Sequence, residues 1–425
     1  MKILLQNILR YLAQSILKKY KPEIIAVTGS VGKTSAKEAI YTVLHKNFQV
    51  RRNLKSYNTE IGVPCTIIGS AAPGKSLIGW MMIVAKGLRL IMWHTGYPKI
   101  LILEMALDHP RDIEYLTNLA PPSIGVITMI GSDQPVHVEF FRNVEELIAE
   151  KMKVLTKVKP DSFALLNRDD PRIWERRQQV RARIMSFGFS EEADIYAWDI
   201  RIATTLATHD AVGLNCKISH QGATVPVFLP GALGEHQIYA ALIAIAVGRI
   251  HDMNLVTLTE RLRDLKPLPG RMRLLSGIKL THIIDDTYNS SPVACQAALR
   301  VLGTVATTGK KFAILGDMSE LGKETESAHE MIGRYVLAQK IDFLITCGEK
   351  ARIIANSAQA AGMSRDRIFE FPDAEQAKKF VQERIEQGDV ILVKGSRIMC
   401  MERIVKEIMA EPLRAKELLV EQDKE

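Results

Sequence analysis

The run Ala26-Val27-Thr28-Gly29-Ser30-Val31-Gly32-Lys33-Thr34-Ser35 has the residue types and order needed to hold a phosphate chain. Ile24–Thr28 reads as a buried strand, Gly29–Gly32 as a glycine turn, and a helix is expected from about Lys33 to His45. Gly29 and Gly32 allow backbone N–H groups to approach phosphate oxygens closely, and the helix N-terminus adds a field that favours an anion. Lys33 can reach β/γ-phosphates, and the Thr34 hydroxyl can hold Mg²⁺. Gly29, Ser30, Val31, Gly32, Lys33, Thr34 and Ser35 are therefore the candidate nucleotide cradle. The match to the general P-loop is incomplete, because Val27 stands where that pattern has its first glycine.

Three further positions could converge on the same phosphates. Glu104 closes the apolar run Ile100–Leu103, His137 follows a run ending near Ile130, and Lys151 sits on the helix expected after it. In an open α/β sheet, ligands bind outside the carboxyl ends of the strands. Each residue taken alone also fits a solvated rim position.

The elements that must position these groups alternate along the chain. Strands are expected at Ile24–Thr28, Lys99–Glu104, Ile124–Ile130 and Ser162–Leu166, with helices near Arg111–Asn118 and Val144–Val158. Such alternation predicts a mostly parallel sheet covered by helices. From Ile184 to Phe228 short strands and turn signals predict an antiparallel annex, and helical periodicity returns at His236–Arg249 and Leu255–Leu265. The punctuation Lys266-Pro267-Leu268-Pro269-Gly270 marks a domain boundary. After it, strands at Thr281–Asp285, Phe312–Leu315, Phe343–Cys347, Ile368–Phe371 and Val390–Val393 predict a smaller, doubly wound, Rossmann-like domain. The expected organisation is an amphipathic N-terminal helix (1–22), a P-loop ATPase-type α/β central domain (23–268, with a helical insert at 76–95) and a C-terminal domain (269–425). The charged tail after Glu411 reads as a final helix.

With 425 residues, of which 47% are hydrophobic and 24% charged, the chain is neither a disordered tract nor a coiled-coil rod. Its net charge of +8 fits an anionic ligand and does not argue for nucleic acid. Five scattered cysteines without a CxxC indicate neither a disulfide framework nor a zinc knuckle, which points to a reduced, cytoplasmic setting. Two segments are apolar and cationic together: the helix Met1–Tyr20 and the stretch Leu77–Trp93. Arg10 interrupts the first, Lys86 and Arg89 the second, so neither predicts a bilayer span. They are expected either to pack as an extra helical layer or to offer a surface to a membrane or partner protein.

The order of the motifs resembles the Mur ligase family. The resemblance is carried by Thr28–Ser35, Ser56–Pro64, Glu104–Pro110, His137–Phe141 through Lys151, Leu166–Pro171 and Gly234–His236. It continues with Pro269–Arg271, Asp285–Pro292, Gly316–Gly322 and Lys394–Arg397, spanning about residues 23 to 410. It implies that Lys33 grips the phosphates of ATP, and that Thr34 and Glu104 hold a first Mg²⁺. His137 is implied to hold a second Mg²⁺, aided by a Lys151 that CO₂ carbamylates. A carbamate turns a cation into an oxygen donor suited to a hard ion. By the same resemblance Asn167 and His236 lie towards the nucleotide, Arg271 and Asp286 close over it from the C-terminal domain, and Tyr288 and Asn289 lie near the reacting carboxylate. His236 as a helix cap and Asp285 as a strand end are the plainer readings.

The activity so implied is an ATP-dependent amide ligase of cell-wall precursor synthesis working through an acyl phosphate. Within the family the motifs are most similar to the type that joins D-alanyl-D-alanine to a UDP-N-acetylmuramoyl tripeptide. A ligase for another amino acid or peptide, of the folate-glutamate or amino-acid-polymer kind, and a non-catalytic nucleotide-binding scaffold are the alternatives. The sequence departs from the family pattern at Thr59, Gln237 and Ala240, where asparagines are expected, and only about 22 residues precede the first strand. The first departures imply altered base contacts; the second leaves no room before that strand for the uridine-nucleotide domain of full-length relatives.

Overall fold

Apolar runs bounded by glycine, proline and asparagine fold into two sheets in the computed structural model, which describes residues 2–54, 57–107, 109–130, 140–203 and 213–420. The first sheet contains β1 (Glu23–Thr28), β2 (Val50–Arg52), β3 (Ile100–Glu104), β4 (Ile124–Ile127), β5 (Phe163–Asn167), β6 (Arg183–Gly188), β7 (Ile195–Ala203), β8 (Gly213–His220) and β9 (Ala223–Pro230). Their order is β2-β3-β1-β4-β5-β6-β7-β8-β9. The chain divides into two compact units. One comprises Met1–Ile200, Cys216–Val227 and His236–Leu265; the other comprises Arg201–Asn215, Phe228–Glu235 and Lys266–Glu425.

In the first unit β1 lies between β3 and β4, parallel to both. The strand order reverses there, so the chain leaving β1 enters a crevice at the sheet's carboxyl edge. β3 and β4 are buried along their whole length, as strands covered on both faces must be. The helices are α1 (Lys2–Tyr20), α2 (Lys33–Leu44), α3 (Gly62–Ile68), α4 (Leu77–Met92), α5 (Asp112–Leu119), α6 (Val144–Thr156), α7 (Pro171–Trp174), α8 (His236–Ile250) and α9 (Leu255–Leu262). Leu9, Leu12 and Ile16 of α1, Ile67 of α3 and Ile83 of α4 share one core with Ile24, Ala26, Leu101 and Leu103 of the sheet. Helices α2 and α8 pack on each other and against β3, β5 and β6. The two cationic apolar segments thus do form a packed layer.

Gly125 of β4 shows how tightly α6 is seated. A Cβ at this position would fall 2.5 Å from the Val154 carbonyl oxygen, so no larger side chain fits without displacing the helix. Gly125→Ala is expected to cost about 1–3 kcal/mol, read as a lower urea midpoint at unchanged m-value.

One expectation is corrected. Arg183–Gly188 is not the start of an antiparallel annex: β6 pairs parallel with β5, and its short pairing with β7 is parallel as well. The 15 residues between β5 and β6 hold only the short α7 and a 3₁₀ turn, and this crossover lacks the long helix that usually signals parallel pairing. β8 and β9 are neighbours joined by Gln221 and Gly222, both at positive φ as a type I′ turn requires. β4 also stops three residues before the expected Ile130, because the Thr128 and Met129 carbonyls turn away to serve Asn167 and Ser30.

The second unit is a doubly wound sheet of β10 (Arg273–Ser276), β11 (His282–Asp286), β12 (Lys311–Gly316), β13 (Phe343–Cys347), β14 (Ile368–Phe371) and β15 (Val390–Lys394). The order is β10-β11-β15-β12-β13-β14, and only the β10–β11 pair is antiparallel. Four of the five cysteines are sealed: burial pushes the Cys65 thiol up to about 11 and those of Cys216, Cys295 and Cys347 up to about 12. Cys400 alone is partly exposed. Among the described residues, no helix is long and apolar enough to cross a membrane.

Candidate nucleotide and ligation site

The glycine loop is shaped from below by the neighbouring strand. Gly29 has φ +146°, and a Cβ on it would lie 2.1 Å from Thr128 Oγ1. That hydroxyl donates to the carbonyls of Val31 (2.6 Å) and Thr28 (3.2 Å), while Ser30 N–H donates to Met129 O at 2.7 Å. Gly32, at φ +85°, opens α2 without any side-chain cap and with no acidic residue in its first turn. Uncapped first-turn N–H groups at a helix of this length are ready donors for an anion. Lys33 Nζ meanwhile folds back onto the carbonyls of Gly29 (2.8 Å) and Ser30 (3.3 Å).

Two of the other expected residues reach the loop. Glu104 ends β3 in register with Val27, and its Oε1 accepts from Thr34 Oγ1 at 3.2 Å and from Asn58 Nδ2 at 3.1 Å. Its Oε2 is buried, accepts no hydrogen bond and lies 3.4 Å from Lys37 Nζ. Asn53, fully buried, fixes the Glu104 backbone from both sides, donating to its carbonyl (3.1 Å) and accepting from its N–H (2.9 Å). A hydroxyl, an amide and a carboxylate whose buried Oε2 accepts no hydrogen bond form a hard-oxygen donor set, which fits Mg²⁺. A cleft of about 270 Å³ lies along the same segment, lined by Tyr41, Arg51, Arg52 and Tyr57 among others.

Lys151, on α6, donates to Ser30 Oγ at 2.6 Å. Burial, reinforced by the Lys33 charge and opposed by Asp170, lowers its ammonium pKa to about 7. Asp170 is itself fixed: it caps α7 by accepting from Arg172 N–H and accepts from Ile130 N–H at 2.7 Å. His137 lies outside the described residues.

Asn167 is fully buried, with both ends of its amide engaged: Nδ2 donates to Thr128 O at 2.9 Å, and Oδ1 accepts from Asp169 N–H. It braces the strand end that shapes the loop. Asp169, next to it, accepts from Tyr239 Oη (2.9 Å) and from the N–H groups of Phe189 and Ser190. His236 opens α8.

In the second unit, Asp286 accepts from Lys394 Nζ at 2.7 Å and from Met272 N–H, while Lys394 also reaches Asn289 O at 2.8 Å. Asp285 is completely buried, and that burial pushes its carboxyl up to about 6 against the hydrogen bonds of Thr287 and Gly270. The Arg271 guanidinium sits 4.1 Å from the Tyr288 ring centroid. Asn53, Lys37 and Lys394 carry no role in the sequence reading. Lys394 stands in the Lys394–Arg397 motif; the signal for Asn53 and Lys37 is only their nearness to other motif residues.

A Gly-Lys-Thr loop between a central parallel strand and an uncapped helix defines a P-loop nucleotide-binding protein, and the second doubly wound domain narrows the class further. Residues 85–248 match the Mur ligase middle domain, and residues 270–397 match the Mur ligase glutamate ligase domain. The chain belongs to the Mur ligase family. It is 28% identical over 405 residues to the UDP-N-acetylmuramoyl-tripeptide–D-alanyl-D-alanine ligase of Bacillus subtilis (strain 168), covering 95% of this chain and 80% of that protein. The crystal structure of MurF ligase from Thermotoga maritima in complex with ADP matches at TM-score 0.74 and 27% identity, covering 97% of this chain and 84% of that one. A MurF structure from Acinetobacter baumannii, 23% identical, shares the fold at TM-score 0.76, covering 93% of this chain and 79% of that one.

Proposed function

We propose that this protein is an ATP-dependent ligase that joins D-alanyl-D-alanine to the terminal carboxylate of a UDP-N-acetylmuramoyl tripeptide or a close analogue. The observation that carries the reading is the open Gly29–Thr34 cradle with Thr34 and Glu104 in hydrogen-bond contact at its mouth. Similarity to the tripeptide ligases over most of both chains supports the choice of substrates.

The acceptor carboxylate attacks the γ-phosphorus in line, forming an acyl phosphate and releasing ADP. The incoming amine then attacks the acyl carbon, loses a proton and expels inorganic phosphate, leaving an amide. The protein's part is positioning and charge neutralisation. Lys33 exchanges its loop carbonyls for phosphate oxygens, and α2 presents its free N–H groups. Mg²⁺, held by Thr34 and Glu104 in this reading, would supply further positive charge when bound. His137 and a carbamylated Lys151 belong to a second metal position in the same proposal. The depressed pKa of Lys151 favours it, because only a neutral amine adds to CO₂. The roles carried over to Asn167, His236, Arg271, Asp286 and Asn289 are part of the proposal too.

Glu104→Gln is expected to raise the Mg²⁺ concentration needed for half-maximal turnover by about tenfold or more. It also removes one of the two carboxylates paired with the buried Lys37, leaving Glu38 at 3.6 Å, so a modestly lower Tm accompanies the change; titrating Mg²⁺ at saturating ATP separates the two effects. The reading as a whole is tested by phosphate release from ATP. Release requiring both a UDP-N-acetylmuramoyl tripeptide and D-alanyl-D-alanine supports it. Release with another acceptor or amine moves the assignment within the family, and no amine-dependent release under any pairing overturns catalysis.

A further inference from the structure

Helix α4 turns the wrong face to water. A surface helix ordinarily buries its apolar stripe and exposes its polar one. α4 instead buries Gly79, Ile83, Gly87 and Leu90, with Gly87 so near α1 that a Cβ there would lie 3.0 Å from Leu12 Cδ1. What it leaves exposed, by 44% to 67%, is Ile78, Met81, Met82, Leu88, Met92 and Trp93. At 100° per residue these form one continuous stripe, with Arg89 inside it and Lys86 at its edge. The helix is held firmly in this orientation. Lys19 Nζ donates to the carbonyls of Leu90, Ile91 and Trp93 at 2.8–2.9 Å, and Tyr20 Oη donates to two of the same groups.

The charge around the stripe has one sign. No Asp or Glu occurs between Glu60 and Glu104, whereas Lys75, Lys86, Arg89 and Lys99 do. The α1 helix beneath carries Arg10, Lys18 and Lys19, again without an acid. A two-fold contact with a second copy would set Arg89 and Lys86 against the same cations with nothing on the stripe to neutralise them. An anionic, fluid surface suits both the flexible methionines and the cations. The 16-residue helix is about 24 Å long, short of the ~30 Å hydrocarbon core, so it fits a position in the plane of an interface.

We propose that the outer face of α4 binds the surface of an anionic lipid membrane, with Met81, Met82, Met92 and Trp93 among the upper acyl segments and Lys75, Lys86 and Arg89 at head-group phosphates. The site is independent of the ligase reading, since none of these residues belongs to the nucleotide cradle.

The test is co-sedimentation of the full chain with vesicles of phosphatidylcholine and phosphatidylglycerol at about 3:1, and with phosphatidylcholine alone. Binding to the anionic vesicles is expected, with a blue shift in emission that Trp93→Phe removes. Met82→Glu/Met92→Glu should weaken binding at least about tenfold while Tm and vesicle-free ATP turnover stay at wild-type values. Should that variant misfold, Arg89→Glu, a change at an exposed position, should still weaken binding and lessen its salt dependence. Failure to sediment, equal binding to neutral vesicles, or binding indifferent to these substitutions overturns the proposal. A concentration-dependent dimer that the double variant abolishes, without vesicle binding, assigns the face to a second copy and overturns it equally.

Discussion

Lys33→Ala should reduce ATP turnover by at least about a hundredfold and leave the urea midpoint close to wild type. The side chain is only partly buried, and it donates to the Gly29 and Ser30 carbonyls of its own loop. In the proposed reaction it is the loop's own cation, set against the negative charge of the transferred phosphoryl group. Lys33→Arg is the informative companion: it keeps the charge but brings a broader, planar head into a turn fixed by Gly29, Thr128 and Met129, and should recover only part of the loss. Phosphate release at saturating acceptor checks both. Wild-type turnover in Lys33→Ala would remove the basis for placing ATP at this loop.

The second large effect concerns Lys151. Turnover of Lys151→Ala should fall about a hundredfold and recover in part with added acetate or formate, which can stand in for a carbamate oxygen. Carbon-13 NMR with labelled bicarbonate gives a readout apart from activity: a carbamate resonance in wild type that Lys151→Ala lacks. Absence of that resonance, together with no carboxylate rescue, would return Lys151 to the plainer role of an amine holding Ser30. The depressed pKa also has a thermodynamic signature. In the unfolded chain this lysine holds its proton up to about pH 10.5, whereas in the native state it loses it near 7. Between those values the unfolded state binds more protons, so the lysine's contribution to stability rises with pH; below pH 7 the buried charge is a full penalty. Lys151→Met should therefore stabilise the ligand-free protein by on the order of a few kcal/mol at pH 6, and the gain should shrink towards pH 10. Denaturant midpoints across that range measure it.

Much of this was legible in the residues, and the exceptions have physical causes. The loop from Gly29 to Ser35 announces itself because strand, glycine, lysine, hydroxyl and helix follow one another without a gap. Glu104 could be placed beside it because parallel strands must end at the same edge, and Lys151 because its helix follows the neighbouring strand. Helix α3 leaves no periodic signal in the sequence, since all seven of its residues are buried and no polar face sets a period. Strand β2 leaves none either, because three residues are too few to alternate. Asn53 could not be found by type or spacing: its value lies in clamping a backbone 51 residues away, a relation that exists only once β3 has paired. The Lys394–Asp286 pair is hidden in the same way, joining the ends of β15 and β11 across 108 residues. The outer face of α4 was legible as apolar and cationic, but which side it would show depended on the two glycines it buries.

The distribution of thiols gives the protein a ready chemical handle. With Cys65, Cys216, Cys295 and Cys347 buried and disfavoured as thiolates, a maleimide reagent under native conditions meets only Cys400. That residue follows β15 in the second unit, six positions after Lys394. A fluorophore or spin label can thus be installed on that unit in the natural sequence, with no cysteine removed, and stoichiometric labelling doubles as an assay of whether the other four positions have stayed closed.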